Sequence, residues 1–584
     1  MARQDGGGTE QVAVAPGAGY GTVGAGGDVD EAVMPGVRRY RPTPMTVHGE
    51  PLRLDDRHWP SRVGLVRPRW CSVDLRDGNQ ALVEPMAPEQ KLALWDELVR
   101  IGFTEIEIGF PAASGPDLDF CRMLIEQDRI PDDVTVSVLT QCRAEQLEAT
   151  MRALAGARRA VVHFYNSTSA LQRKVTFNAG RDEVVALAVD AARRCRELEG
   201  LASGCEVGYE YSPESFTGTE LEFAVEICDA VRRALALEDG QELIVNLPAT
   251  VEHQPPSQYA DAVEWFCANL PERDTVCVSV HPHNDRGCAV AAAEAAVAAG
   301  ADRVEGTLFG NGERTGNVDV VTLGLNLYTW GVDPGLDLSE LPRVRSVYEA
   351  ATGMSVHARA PYAGDLAWVA FSGSHQDAID KGLAAVGEDR WEVPYLPVDP
   401  GDLGRSYEPV IRVNSQSGKG GVAHVVKVER GLELPRGLAA EFARSVQVEA
   451  EAAGGEVAPG RVVELFEDGY LAGGGLVLRG VEVRSDEEGT EVVAQVLDDG
   501  VPHTVRGRGA GPISALVAGL EELLGGRVEV LDYAEHAVTA GTDAVAAAYA
   551  QVAHRGGTGW GVGLDASVLT ASLQSVLSAV DRLR

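Results

Sequence analysis

Lysine is scarce in this chain. Five of its 51 basic residues are lysines (Lys91, Lys174, Lys381, Lys419 and Lys427), so arginine supplies the other 46. With so much alanine, glycine and valine alongside, this reads as coding bias and not as function. Basic charge is also in deficit: 87 acidic side chains leave a formal net charge of −36 over 584 residues. Long-range repulsion sets such a polyanion against nucleic acid and anionic membranes, so neither is expected as a partner. No apolar run reaches the ~18 residues that cross a bilayer, and Met1 to Gly8 lack the charged-then-apolar pattern of a secretion signal. Cysteine ends early. The nine thiols run from Cys71 to Cys288, odd in number and without CxxC spacing. That usage predicts reduced, structural thiols in a cytoplasmic protein. What is present in quantity is apolar: 45% hydrophobic residues are enough for a large core, and the length predicts two to four domains.

The chain changes character along its length. Residues 1–38 hold ten glycines and few large apolar side chains, which predicts a disordered tail. Residues 39–68 carry Pro42, Pro44, Pro51, Pro60 and Pro68 and read as an extended arm. From 69 to 329 short β-rich runs alternate with helical stretches. The runs are Trp70–Leu75, Glu105–Phe110, Val134–Leu139, Ala160–Tyr165, Glu206–Tyr211, Leu243–Leu247, Val276–Val280 and Arg303–Leu308. Several intervening stretches, Pro88–Ile101 and Arg181–Leu198 among them, space apolar residues at i, i+3, i+4. Eight such units predict an α/β fold, a (β/α)8 TIM barrel. A doubly wound sheet is the alternative, but no glycine fingerprint follows the first strand. Residues 330–475 read as helical linker subdomains. Residues 476–584 repeat a βββα pattern twice, an α+β domain whose helices each follow a glycine cluster (Gly507, Gly509, Gly511; then Gly559, Gly561, Gly563).

In a barrel, chemistry gathers at the C-terminal strand ends. Asp74-Leu-Arg-Asp-Gly-Asn-Gln80 follows strand one, His281-Pro-His-Asn-Asp-Arg-Gly287 strand seven, and Gly310-Asn-Gly-Glu-Arg-Thr-Gly-Asn317 strand eight. In an extended segment residues i and i+2 point the same way, so His281 and His283 present two imidazoles to one side. Asp77 and Asn317 come from neighbouring strands. Two neutral nitrogens and a carboxylate make a divalent-metal site with open positions; an ordinary strand-end pair is the plain alternative. Arg76 suits a carboxylate or developing oxyanion, or else a salt bridge to Asp74 or Glu107. His163, Ser212, Glu214 and Thr250 end strands four, five and six. They form a polar binding rim, or are satisfied polar groups. Glu107 reads equally as structural or functional.

These segments, with Glu107-Ile-Gly-Phe-Pro111, His163-Phe-Tyr-Asn-Ser-Thr-Ser169, Phe371-Ser-Gly-Ser-His-Gln-Asp-Ala378 and Arg412-Val-Asn-Ser-Gln-Ser-Gly-Lys-Gly-Gly421, resemble the 2-isopropylmalate synthase family in its long actinobacterial form. The match spans about residues 40–584, with a shortened stretch before Trp391 and another between Val552 and Trp560. The resemblance implies acetyl-CoA and 3-methyl-2-oxobutanoate as substrates, and a divalent metal, Mg²⁺ first and Mn²⁺ or Zn²⁺ as alternatives. It implies metal ligands Asp77, His281, His283 and Asn317, and keto-acid contacts Arg76, His163, Ser212 and Thr250. Arg76, Glu214, His375 and Tyr395 are implied in catalysis, the last two reaching a partner subunit of a homodimer. The tail resembles a leucine-sensing regulatory domain, with Gly511, Ile513, Tyr533, Ala537 and Ala544 as effector residues; a plain dimerisation module is the alternative. The glycine-led helix N-termini are expected to attract the effector carboxylate. Homocitrate- or citramalate-type synthases, a metal-dependent acyl-CoA lyase on the same barrel, a non-haem iron enzyme and a silent binding paralogue are the competing readings. The −36 surplus then reads as solvated surface, with positive charge concentrated at the metal and Arg76.

Overall fold

A computed structural model of the chain describes residues 43–584 apart from 63–65, 239, 371, 388–389, 408–418, 454–456, 472–473 and 539–543. The expected tail, part of the arm, Phe371 and the 412–418 portion of the last motif lie outside the described residues. The chain forms two compact units. One runs to Leu327 and includes Val332–Pro334; the other is Tyr328–Gly331 with Gly335–Arg584.

The first unit is a closed barrel of eight parallel strands. These are β1 (Arg69–Ser72), β2 (Glu105–Gly109), β3 (Thr135–Gln141), β4 (Arg159–Ser167), β5 (Glu206–Glu214), β6 (Leu243–Ala249), β7 (Val276–Pro282) and β8 (Arg303–Gly306), with β8 pairing back onto β1. β6 and β7 are buried along their whole length, as parallel strands covered on both faces must be. The helix Leu221–Leu235 shows why the outer ring forms. Leu221, Ala224, Ile227, Cys228, Val231 and Leu235 recur at three- and four-residue spacing and are buried, while Arg232 and Arg233 sit at the negative end of the helix dipole. The Pro88–Ile101 and Arg181–Leu198 helices have the expected limits. Six of the nine thiols are buried and all nine are unbridged.

Two strands stop more than one residue short of their expected ends. β1 ends at Ser72 and not at Leu75, because Asp74–Gly78 winds into a π-helical turn. Asp74 leaves the strand to accept the Leu308 amide at 3.0 Å, which also ends β8 early, at Gly306. Burial pushes the Asp74 carboxyl up to about 7. The arm is not uniformly extended: it holds a two-residue ribbon, Thr46–Val47 with Glu50–Pro51, and a 3₁₀ turn at Trp59–Ser61. It is clasped to the Pro256–Asn269 helix by Arg57 and the Trp59 indole, both bonded to Asp261.

The second unit opens with helices, among them Leu341–Thr352, Gly373–Ala385, Lys419–Arg430, Arg436–Ala453 and Pro459–Phe466. It ends in two antiparallel three-stranded sheets: β9 (Leu476–Asp486), β10 (Gly489–Asp498), β11 (Val501–Gly509), and β12 (Val528–Ala537), β13 (Ala546–His554), β14 (Gly557–Asp565). The helix Pro512–Leu524 follows the first sheet and Val568–Asp581 the second. The glycine clusters have a different use from the one expected. Gly507 and Gly563 lie in β11 and β14 beneath the helices, where a Cβ would come within 2.0 Å of the Ala515 and Ala571 carbonyl oxygens. They permit close helix-on-sheet packing. At the helix starts, the Gly511 amide is already bonded to Ser514, and the second helix is capped by Ser567 and not by glycine.

Candidate active site

The π-turn at Asp74–Gly78 aims Arg76 and Asp77 into the mouth of the barrel. His281 closes β7 and His283 stands just past it, their rings 5.3 Å apart. The loop after β8 folds back so that Asn317 bridges His283. Glycine makes this possible. Gly316 has φ +97°, where a Cβ would meet the Gly310 carbonyl oxygen at 1.9 Å, and a Cβ on Gly312 would meet Asn317 Nδ2 at 2.4 Å.

Asp77, His281 and His283 are all buried, and they offer one oxygen and two nitrogens within 4.8 Å of one another. His281 Nε2 is 3.5 Å and His283 Nε2 4.0 Å from Asp77 Oδ2. Asn317 Oδ1 joins them, 2.9 Å from His281 Nε2, while its Nδ2 donates to Asp77 Oδ2 at 2.8 Å. His281 Nδ1 is 2.9 Å from Glu305 Oε2. Both ring nitrogens of His281 therefore face acceptors. Burial opposes its positive charge, but Asp77 and Glu305 outweigh burial and push His281 up to about 10. Burial and the neighbouring His281 charge hold His283 down at about 4. Burial raises Asp77, but Arg76 and the histidines outweigh it and hold the carboxyl far below the usual range. The Nε2 edge of His281, facing Asp77 Oδ2 and Asn317 Oδ1, marks a place where a divalent cation fits, and a cation bound there would displace any proton on Nε2. The donor set of one carboxylate, one amide oxygen and two imidazoles suits a divalent cation.

Around this cluster lies a cavity of about 320 Å³, lined among others by Arg76, His163, Ser212, Glu214, Thr250 and His283. Its wall is one hydrogen-bonded chain. Arg76 donates through Nη1 to Asp77 at 2.8 Å and through Nε to Glu107 at 2.5 Å. Glu107 Oε1 takes the Nδ1 proton of His163 at 2.7 Å. That leaves His163 Nε2 to accept from Ser212 Oγ at 2.7 Å, and Ser212 accepts from Asn246 Nδ2 at 3.0 Å. Asn246 Nδ2 also reaches Glu305 Oε2 at 3.2 Å, which returns the chain to His281. The salt bridge considered for Arg76 is thus to Glu107 and not to Asp74. Glu214 accepts from Ser167. Thr250 lies one residue past β6, and its hydroxyl accepts the Ser215 amide at 3.0 Å.

Beneath the cavity Arg303 stands in the barrel axis, 1% exposed. It donates to Glu305 at 2.5 Å, Ser279 at 2.9 Å, Glu210 at 3.2 Å and Glu105 at 2.8 Å. Burial and the facing Glu305 raise the Glu210 carboxyl, whereas for Glu305 burial is outweighed by Arg303 and His281, which hold it below the usual carboxylate range. Glu305, Glu210, Arg303 and Asn246 were not expected from the motifs. Their signal is period two within strands: Arg303 and Glu305 alternate along β8, and Glu210, Ser212 and Glu214 along β5.

His375 and Tyr395 lie in the second unit, 20 residues apart in sequence, with rings stacked at 4.0 Å and 22°. Tyr395 has φ +65° and is 60% exposed. In the tail, Gly511 caps the Pro512–Leu524 helix and Ile513 packs at the edge of the core beneath it. The Tyr533 hydroxyl bonds Ser572 at 2.6 Å and also Glu535. Ala537 ends β12 paired with Ala546, two residues beyond Ala544.

Family models match three consecutive stretches: HMGL-like over residues 67–347, alpha-isopropylmalate synthase post-catalytic domain-like over 365–427, and LeuA allosteric (dimerisation) domain over 456–584. A 2-isopropylmalate synthase of Parafrankia sp. (strain EAN1pec) is 53% identical over 556 residues, covering 94% of this chain and 97% of that protein. One from Mycobacterium ulcerans is 52% identical over 94% of this chain and 99% of that protein, and one from Rhodospirillum rubrum 51% over 94% and 98%. With near-complete coverage on both sides, this chain belongs to the 2-isopropylmalate synthase family.

Proposed function

We propose that the chain is an acyltransferase that condenses acetyl-CoA with 3-methyl-2-oxobutanoate and water, giving 2-isopropylmalate and CoA, in the first committed step of leucine biosynthesis. The observation that carries this reading is the buried Asp77, His281, His283 cluster beside the Arg76–Glu107–His163–Ser212 chain at the C-terminal mouth of the barrel. Such a site takes a small anion with a carbonyl.

Asp77, His281, His283 and Asn317 are the residues that would hold a divalent cation, Mg²⁺ first. Bound there, the cation supplies Lewis-acid polarisation of the keto-acid carbonyl. Arg76 spends Nε and Nη1 on Glu107 and Asp77 and turns its remaining Nη2 edge to the growing alkoxide. His163 and Ser212 orient the keto acid, with Thr250 closing the rim. Glu214 on the rim and His375 are the two candidate bases for the methyl proton of acetyl-CoA, His375, with Tyr395 stacked on it, serving the site of the partner subunit in the homodimer. The enolate carbon attacks the carbonyl carbon, and water hydrolyses the thioester, releasing CoA thiol.

Residues 69–329 do the chemistry, 330–475 link, and 476–584 sense leucine through Gly511, Ile513, Tyr533, Ala537 and Ala544. The protein acts as a homodimer in the cytoplasm; no described helix is long and apolar enough to cross a membrane. Mass spectrometry of the product tests the reaction. The expected species from the two substrates and Mg²⁺ is 2-isopropylmalate; a citramalate- or homocitrate-type product formed preferentially from another keto acid would contradict it.

A further inference from the structure

Of the three clustered groups, Asp77 and His281 have their orientation set by neighbours and His283 does not. Asp77 is held by Arg76 and Asn317. His283 Nδ1 is buried without a partner among the described residues. His281 is held by Glu305, a carboxylate 1% exposed whose two oxygens face different groups. Oε1 faces the barrel interior, accepting from Arg303 at 2.5 Å and Ser279 at 2.9 Å. Oε2 faces the cavity wall, 2.9 Å from His281 Nδ1 and 3.2 Å from Asn246 Nδ2.

We propose that Glu305 is a positioning residue of the metal centre. Its Oε2 fixes the proton of His281 on Nδ1 and turns Nε2 toward Asp77, and through Asn246 it ties that ring to Ser212 and His163 on the keto-acid side. The inference rests on the metal reading given above. A purely structural role for Glu305 would end at Oε1. Arg303 has other acceptors in Glu105 and Glu210, so its charge does not by itself require a carboxylate that reaches His281.

Glu305→Gln separates the two roles by chemistry. Arg303 has only donors, so the amide oxygen must stay on the Arg303 side. The amide NH₂ then faces His281 Nδ1, which must accept, and the ring proton moves to Nε2. A ring protonated at Nε2 cannot ligate through that atom.

Calorimetric titration of the full-length protein with Mn²⁺ tests this, with His281→Ala as the reference for the site. The expected result is no binding by His281→Ala and about 10- to 100-fold weaker binding by Glu305→Gln. Loss in His281→Ala with wild-type affinity in Glu305→Gln would overturn the role of Glu305 and leave the metal site standing. Wild-type affinity in His281→Ala would overturn the metal reading itself, and this inference with it. If Glu305→Gln does not fold, Glu305→Asp decides: it keeps the charge facing Arg303 and withdraws the oxygen from His281. Weaker Mn²⁺ binding supports the role and unchanged binding overturns it.

Discussion

Arg76 Nε stands 2.5 Å from Glu107 Oε2, and the two side chains are 11% and 1% exposed. Burial works against the guanidinium charge, but Glu107 and Asp77 outweigh it and raise Arg76. One carboxylate thereby orients two groups, since its other oxygen holds His163. Removing it should cost more than either contact alone. Glu107→Ala leaves Arg76 and His163 without their shared acceptor. Breaking such a buried pair costs about 3–5 kcal/mol, read by urea unfolding. The misplaced Arg76 and His163 should lower kcat/KM for the keto acid by about 10²-fold. A variant of wild-type stability would contradict the pairing.

His283→Ala should behave in the opposite way. The ring has no partner at Nδ1 among the described residues, so its loss leaves no orphaned donor or acceptor there. Unfolding should shift little, while turnover with Mg²⁺ or Mn²⁺ disappears. Near-normal activity of a folded His283→Ala would remove that residue from the site.

The barrel was readable because its strands are β-rich runs between helical periods, and the Asp77, His281, His283 cluster because His281 and His283 sit at i, i+2 across the end of β7. Other features depend on contacts that no local pattern encodes. Asp74 bends the chain into a π-turn only because the Leu308 amide, 234 residues away, is there to be accepted. His375 and Tyr395 meet only when their segments fold together. Glu305 and Arg303 look like surface charges in a short strand, until barrel closure turns period-two positions inward. The glycine clusters were seen, but their use as a packing surface needed the helices above them.

Proton release should accompany metal binding. In the folded, metal-free protein His281 is raised to about 10, whereas an unperturbed histidine titrates near 6.5. Because the folded value is the higher one, the stabilisation it brings is complete below about pH 6.5 and is lost as pH rises through about 10. A cation competes with that proton. The apparent Mn²⁺ association constant should therefore rise about tenfold per pH unit from pH 7 to 9. A pH-independent constant would contradict the protonated His281. His283, held at about 4, is neutral throughout this range.

In the tail, a methyl group at Gly563 would enter the Ala571 carbonyl oxygen at 2.0 Å. Gly563→Ala should therefore lower stability by about 1–3 kcal/mol, seen as an earlier thermal transition; an unchanged transition would contradict the close packing. Deleting residues 476–584 is a poor probe of regulation. It would uncover Phe442, Val446 and Phe466, which pack with Tyr549, Trp560 and Val562. Tyr533→Phe is the cleaner change, because it removes only the hydroxyl bonded to Ser572 and Glu535. Leucine inhibition should weaken while the uninhibited rate stays; unchanged inhibition would place the effector elsewhere.

Release of CoA thiol from acetyl-CoA, followed across a panel of keto acids with Mg²⁺, tests the proposed reaction most directly. The cluster at Asp77, His281 and His283 and the Arg76 fork predict release that depends on both the cation and the keto acid, fastest with 3-methyl-2-oxobutanoate. One methylene more or less should cost only about 1–3 kcal/mol of discrimination. Thiol release that proceeds without a keto acid, or without preference among them, would contradict it.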